Sequence, residues 1–203
     1  MRFYSEKQAE DFLENFGFNV IERVYCKKKS ELQKALSVVG LPCVMKVSGK
    51  KIVHKNKVGG IRLNIDTYSH AVSEFDSLKK IKGSDGVMIQ RKISFSKEFL
   101  LGVKKTKDFG HVVIFGSGGT DVEEKKDVSF RVLPLSEEDA VDMIKSVKIA
   151  KGMGKKEVSK IAQVVMRLGD LVSKYSEISE LDINPFVLAG EGPIVLDARI
   201  LFE

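Results

Sequence analysis

Asp182, Asn184 and Asp197 carry hard oxygen side chains close to the C-terminal end of a 203-residue chain. Asp182 and Asn184 lie two apart in Glu180-Leu181-Asp182-Ile183-Asn184-Pro185-Phe186, so on a strand they share a face. Gly190-Glu191-Gly192-Pro193 is a strong turn signal, and Val195-Leu196-Asp197-Ala198-Arg199-Ile200 beyond it reads as a returning strand. A hairpin register could set Asp197 beside the other two. Such a cluster suits Mg²⁺ when the ion also bridges phosphates. The plainer alternative is that Asp182 and Asn184 form turns and Asp197 is a solvated strand residue.

Three further stretches have residue types that suit phosphate. In Cys43-Val44-Met45-Lys46-Val47 one lysine interrupts an apolar strand, where an unpaired ammonium costs several kcal/mol. Lys46 therefore either meets a ligand phosphate or lies on an open sheet face or edge. The loop Ser48-Gly49-Lys50-Lys51-Ile52-Val53-His54-Lys55-Asn56-Lys57-Val58-Gly59-Gly60 sets one histidine among four lysines. It suits a phosphorylated imidazole or another polyanion, though a lone histidine is more often inert. Gly116-Ser117-Gly118-Gly119-Thr120 follows an apolar strand, and glycines there let backbone N–H groups approach phosphates. It lacks the Gly-Lys-Ser/Thr ending of a Walker loop, and a hairpin turn would explain it equally.

The elements that must position these residues are legible in outline. Ser5-Glu6-Lys7-Gln8 has capping-box spacing, and Ala9, Phe12, Leu13 and Phe16 then form one helical face that stops at Gly17. A strand is predicted around Val20 to Tyr25. A second capping box at Ser30-Glu31-Leu32-Gln33 opens a helix stopped by Gly40 and Pro42. Strand Ile61 to Ile65 and a helix from about Ser69 to Lys80 lead to the turn Gly83-Ser84-Asp85-Gly86, read as a lobe boundary. Closely spaced strands follow at Val87 to Lys92, Glu98 to Val103, Val112 to Phe115 and Val128 to Val132. A helix capped by Ser136 and a longer one beyond Gly152-Met153-Gly154 precede the C-terminal hairpin.

With 43% hydrophobic residues the chain can bury a real core, in one domain or two small lobes. No apolar run approaches the roughly 18 residues of a membrane span, and no secretion or transit composition opens the chain, so a cytoplasmic location is expected. Cys26 and Cys43 are read as free thiols. A net charge of +6 suits nucleic acid, a phosphate-rich ligand or an acidic protein, and does not choose among them.

Seven stretches in order resemble one family. They are Val44-Met45-Lys46, Ile52-Val53-His54-Lys55 with Val58-Gly59-Gly60, Lys97-Glu98-Phe99-Leu100-Leu101-Gly102, and Phe115-Gly116-Ser117-Gly118-Gly119. Asp127-Val128-Ser129-Phe130-Arg131 with Pro134-Leu135, Glu180 to Pro185, and Leu196-Asp197-Ala198-Arg199 complete them. Over nearly the whole chain they resemble the ATP-grasp (β) subunit of archaeal NDP-forming acyl-CoA synthetases, relatives of succinyl-CoA synthetase. The resemblance implies an α/β (α+β) ATP-grasp fold of two lobes, each a sheet with flanking helices, here residues 1–86 and 87–203. It implies an acid–thiol ligase in which a CoA-binding α subunit carries a phosphohistidine, in a heteromer such as α2β2. This chain would pass the phosphoryl group to ADP, with Mg²⁺ as cofactor and ADP/ATP as substrate. By the same resemblance His54 would be a second phosphoryl carrier and Asp182 would face the incoming phosphohistidine. Lys46, Glu98 and Gly116, Ser117, Gly118 and Gly119 would bind nucleotide, and Asn184 and Asp197 would ligate the metal. The chain departs from the family at Arg91, Lys57 and Met153, where Gln-Glu-Met, an acidic residue and an arginine are usual. Two other classes stay open: a nucleotide-binding regulator without catalysis, and a basic nucleic-acid-binding protein. The latter predicts exposed aromatics interleaved with Lys and Arg, and the chain has no Trp.

Overall fold

The computed structural model describes residues 2–49, 52, 55–119, 126–190 and 192–203. His54, with Lys50, Lys51 and Val53 of its loop, and Thr120 lie outside the described residues. The chain forms two compact units: Met1–Val20 with Ser94–Glu203, and Ile21–Ile93.

The discontinuous unit is built on an antiparallel sheet. Its strands are β1 (Arg2–Tyr4), β6 (Glu98–Thr106), β7 (Gly110–Ser117), β8 (Val128–Val132), β9 (Ile178–Ala189), β10 (Gly192–Val195) and β11 (Ala198–Phe202). The order is β1-β11-β9-β6-β7-β8, with β10 on the far half of β9. One face is covered by helices α1 (Glu6–Asn15), α4 (Glu137–Lys145) and α5 (Lys155–Lys174). Val158, Ile161, Ala162, Val165, Leu168 and Val172 recur at the helical period along α5 and are all buried. Each buried Val, Ile or Leu among them contributes about 1.5–3 kcal/mol by leaving water. The capping box predicted at Ser5 forms, with Gln8 N–H donating to Ser5 Oγ and Ser5 N–H to Gln8 Oε1.

The continuous unit holds a four-stranded antiparallel sheet in the order β2 (Arg23–Cys26), β5 (Gly86–Arg91), β3 (Cys43–Ser48) and β4 (Ile61–Ile65). Helices α2 (Leu32–Val39) and α3 (Tyr68–Lys79) pack on the face that carries Cys43, Met45, Val47, Val87 and Ile89. Cys26 and Cys43 are free thiols in this core, and burial pushes both up to about 11, so neither is a reactive thiolate near neutral pH.

Three expectations change. The division falls after Ile93 rather than at Gly86, because β5 pairs on one side with β2 and on the other with β3. The N-terminal helix joins the other unit, since β1 adds to β11 and Ala9 and Leu13 enter that unit's core. At Ser30 no capping box forms. A 3₁₀ turn, Lys29–Glu31, takes its place, and the Glu31 carboxylate accepts from the Lys27 and Lys28 N–H groups instead.

Candidate functional site

The C-terminal oxygen cluster is set by strand register. Antiparallel pairing places Arg199 opposite Asp182 and Ala198 opposite Ile183, so Asp197 comes level with Asn184. The Asn184 N–H donates to the Asp197 carbonyl at 3.1 Å. The stretch read as one returning strand is in fact two. β10 pairs with Phe186 to Ala189, β11 pairs with Ile178 to Ile183, and Leu196-Asp197 forms the break between them. A break frees Asp197 from the strict up-and-down alternation of a strand.

Asp182 is partly buried, and desolvation pushes its carboxyl up from 3.8 to about 6. The Arg199 guanidinium opposes that shift, while the charges of Asp197 and Glu180 reinforce it. The register neighbour of Asp182 on the other side is Gly102. A Cβ there would lie 3.0 Å from the Leu181 carbonyl and 3.8 Å from Asp182 Oδ1, so glycine keeps that side of the carboxylate clear.

The glycine stretch joins the same cluster in a way that differs from expectation. Its amides donate inward: Ser117 N–H to the Asp127 carbonyl (2.9 Å), Gly118 N–H to the Glu98 carbonyl (2.7 Å) and Gly119 N–H to Asn184 Oδ1 (2.9 Å). Close packing explains the glycines. A Cβ at Gly116 would stand 2.1 Å from the Asp127 carbonyl oxygen, and one at Gly119, where φ is +91°, 2.5 Å from Glu98 Oε2. Glu98, Gly119, Asn184 and Asp197 are thus neighbours, and these amides tie the strand end to them.

Asn184 Oδ1 keeps a second lone pair beside its bond from Gly119. It and the Asp197 carboxylate are the hard oxygens here that could hold a divalent cation. No group of three or more His, Cys, Asp or Glu suited to hold a metal occurs among the described residues. The donor set therefore fits an ion that arrives with a nucleotide better than a metal caged by protein alone.

In the other unit Lys46 is buried at 6% exposure, which rules out the open-face alternative. It lies on the sheet face opposite the core, as does the buried Gln90, since Lys46 pairs with Met88 and Val44 with Gln90. Arg91 is ion-paired with Glu22, both half exposed, a bond worth about 0–1 kcal/mol. Lys57 is exposed in the 3₁₀ turn Asn56–Val58, and Met153 packs against the main core of its own unit. Two residues of the family-like stretches had been given no role: Arg199, the countercharge to Asp182, and Asp127, which has several hydrogen-bond donors around it. Arg199 had a visible signal, because it follows Asp197 by two on the strand returning toward Asp182.

A family profile described as an ATP-grasp domain matches residues 2–202. The chain is 36% identical over 201 residues to acetate–CoA ligase (ADP-forming) II of Archaeoglobus fulgidus, covering 97% of this chain and 30% of that protein. It is 34% identical over 209 residues to the β subunit of acetate–CoA ligase (ADP-forming) I of Pyrococcus furiosus, covering 97% of this chain and 90% of the subunit. Thus it spans about 30% of the longer relative and nine-tenths of the β subunit. Among solved structures, it is similar to acetyl-coenzyme A synthetase 1 of Candidatus Korarchaeum cryptofilum in complex with coenzyme A, Ca-AMPCP and HgCl+. The TM-score is 0.91 at 31% identity, covering 100% of this chain and 94% of the other. A second complex of that enzyme, with coenzyme A and Mg-AMPPCP, matches with a TM-score of 0.82 at 31% identity, covering 98% and 93%. In it a phosphohistidine segment points towards the nucleotide binding site.

Proposed function

Because the chain belongs to the ATP-grasp family of ADP-forming acetate–CoA ligase β subunits, we propose that it is the nucleotide-binding subunit of an NDP-forming acyl-CoA synthetase. The complete reaction is acyl-CoA + ADP + Pi = carboxylic acid + CoA + ATP. A CoA-binding α subunit supplies the acyl chemistry and a phosphohistidine, and this chain exchanges the phosphoryl group with ADP. The observation that carries the reading is the hydrogen-bonded juncture of Gly119, Asn184 and Asp197, with the half-desolvated Asp182 beside it.

Asn184 Oδ1 and the Asp197 carboxylate would hold Mg²⁺, whose charge offsets that of the nucleotide phosphates. The Lys46 ammonium pairs with the phosphates, Glu98 lines the nucleotide pocket, and Gly116 to Gly119 shape the ground on which the phosphates rest. Asp182 accepts the N–H of the incoming imidazole, which favours the cationic ring that a departing or arriving phosphoryl group requires. At His54 a neutral ring nitrogen attacks phosphorus as the partner's N–P bond breaks. A terminal phosphate oxygen of ADP then attacks in turn, and the His54 N–P bond breaks to give ATP. Positioning and charge neutralisation carry most of such a transfer. The Mg-AMPPCP complex of the Korarchaeum enzyme supports the metal and the direction of approach.

Incubation with γ-labelled ATP, Mg²⁺ and the α subunit tests the carrier role. The expected label on this chain is acid-labile and base-stable, and His54→Ala loses it. Equal labelling of the variant removes His54 from the path.

A further inference from the structure

Asp127 immediately precedes β8 and joins two segments that are distant in sequence. Its carboxylate accepts from Ser117 Oγ at 2.7 Å, from the Lys148 N–H at 2.7 Å and from the Ile149 N–H at 2.9 Å. Its carbonyl also accepts the Ser117 N–H. Burial acts to raise this carboxyl, and the bonds from Lys148, Ser117 and Ile149 outweigh it and hold the group below its ordinary value. From Ser117 the network continues without a gap, through the Gly118 N–H on the Glu98 carbonyl to the Gly119 N–H on Asn184 Oδ1. The strand end has little room to shift sideways, since a Cβ at Gly118 would already meet the Phe99 backbone at 2.5 Å. On the other side of the same turn Lys97 Nζ donates to the Ile149 and Lys151 carbonyls, at 2.8 and 3.0 Å. The turn is therefore held from two sides: among the described residues the Asp127 side chain bonds Ser117 directly, whereas Lys97 reaches the glycine stretch through the backbone of its neighbour Glu98.

We infer that Asp127 is a positioning residue for the metal–nucleotide site: by clamping Ser117 it fixes the Gly119 N–H, which holds the Asn184 amide with its oxygen ready to ligate. This rests on the reading of Asn184 as a metal ligand. Groups that orient ligands in this manner typically change metal affinity by about 10–100-fold when removed. The Lys97 side chain shares the turn but makes no bond to Ser117, and its removal leaves the Glu98 carbonyl in place, which makes it the control.

The test is ADP affinity by calorimetry with and without Mg²⁺, on the full chain, at a temperature where near-ultraviolet dichroism shows each variant folded. In Asp127→Asn the gain that Mg²⁺ gives falls by about tenfold, while affinity for ADP alone is unchanged. Ser117→Ala, which removes one bond to the carboxylate, loses about threefold, the scale of one hydrogen bond. Lys97→Met melts earlier and keeps the wild-type gain. A full Mg²⁺ gain in Asp127→Asn, or an equal loss in Lys97→Met, overturns the inference. If Asp127→Asn does not fold, Ser117→Ala decides, and a wild-type gain there is the overturning result. A wild-type chain with no Mg²⁺ gain at all removes the ligand reading of Asn184, and the inference falls with it.

Discussion

Asp197→Ala removes the Mg²⁺-dependent part of ADP affinity and slows phosphoryl transfer by about 10³-fold. The size follows because stabilisation of transferring phosphate charge by a metal is worth several kcal/mol, and each 1.4 kcal/mol or so is tenfold in rate. The substitution keeps the backbone bond that joins the two strands. What Asp197 gives the Asn184 N–H is its backbone carbonyl, at 3.1 Å, and alanine keeps that bond. Calorimetry and single-turnover transfer from the α subunit would both read the effect. Retention of the full Mg²⁺ gain with near-normal transfer would place the metal elsewhere.

Asp182→Asn is expected to stabilise the protein while crippling it. The Asp182 carboxyl is pushed from 3.8 to about 6, first by burial and then by the nearby Asp197 and Glu180 charges, against the pull of Arg199. An acid with a raised value in the folded state favours folding at low pH, where it stays protonated at no cost. That contribution is lost as pH climbs through the window from about 4 to 6, because the unfolded chain releases the proton first. Asparagine has no proton to release. Measured in EDTA, the stability of the variant minus that of the wild type should therefore be smallest near pH 4, rise to about pH 6 and stay level above. The rise amounts to about 3 kcal/mol at most, or several degrees in Tm for a chain this size. The attraction of Arg199 is already contained in the value of about 6, so its loss adds no further step. Transfer between the α subunit and ADP falls by about 10²–10⁴-fold, as for loss of a positioned acid–base group. A difference in stability that does not vary with pH would show that Asp182 titrates normally.

Most of the strands, the helices and the core were readable because each rests on a local pattern. The α5 face, the Ser5 cap and the lone lysine in Cys43–Val47 announce themselves within one helix or one strand. What failed depends on pairing between distant segments. Nothing local distinguishes one returning strand from β10 and β11 with a break at Asp197, since the two pair with successive stretches of β9 in a single register. At Gly116 to Gly119 the glycines announce a close approach without saying by what. Here it is the backbone of Phe99 and Asp127. The unit boundary was misplaced for a similar reason: Gly86 is turn-like in sequence, yet it is the first residue of β5 and pairs with Ser48. A charge such as Asp127 has meaning only once Lys148 and Ile149 are folded against it.

The account stands most directly on where a divalent ion sits when ADP is bound. Crystals of the chain grown with ADP and Mn²⁺ would answer it by anomalous scattering. The expected result is a single strong peak within about 2.5 Å of both Asn184 Oδ1 and an Asp197 carboxylate oxygen, bridged to the nucleotide phosphates. A nucleotide bound with its ion away from both residues, or with no ion near them, would contradict it.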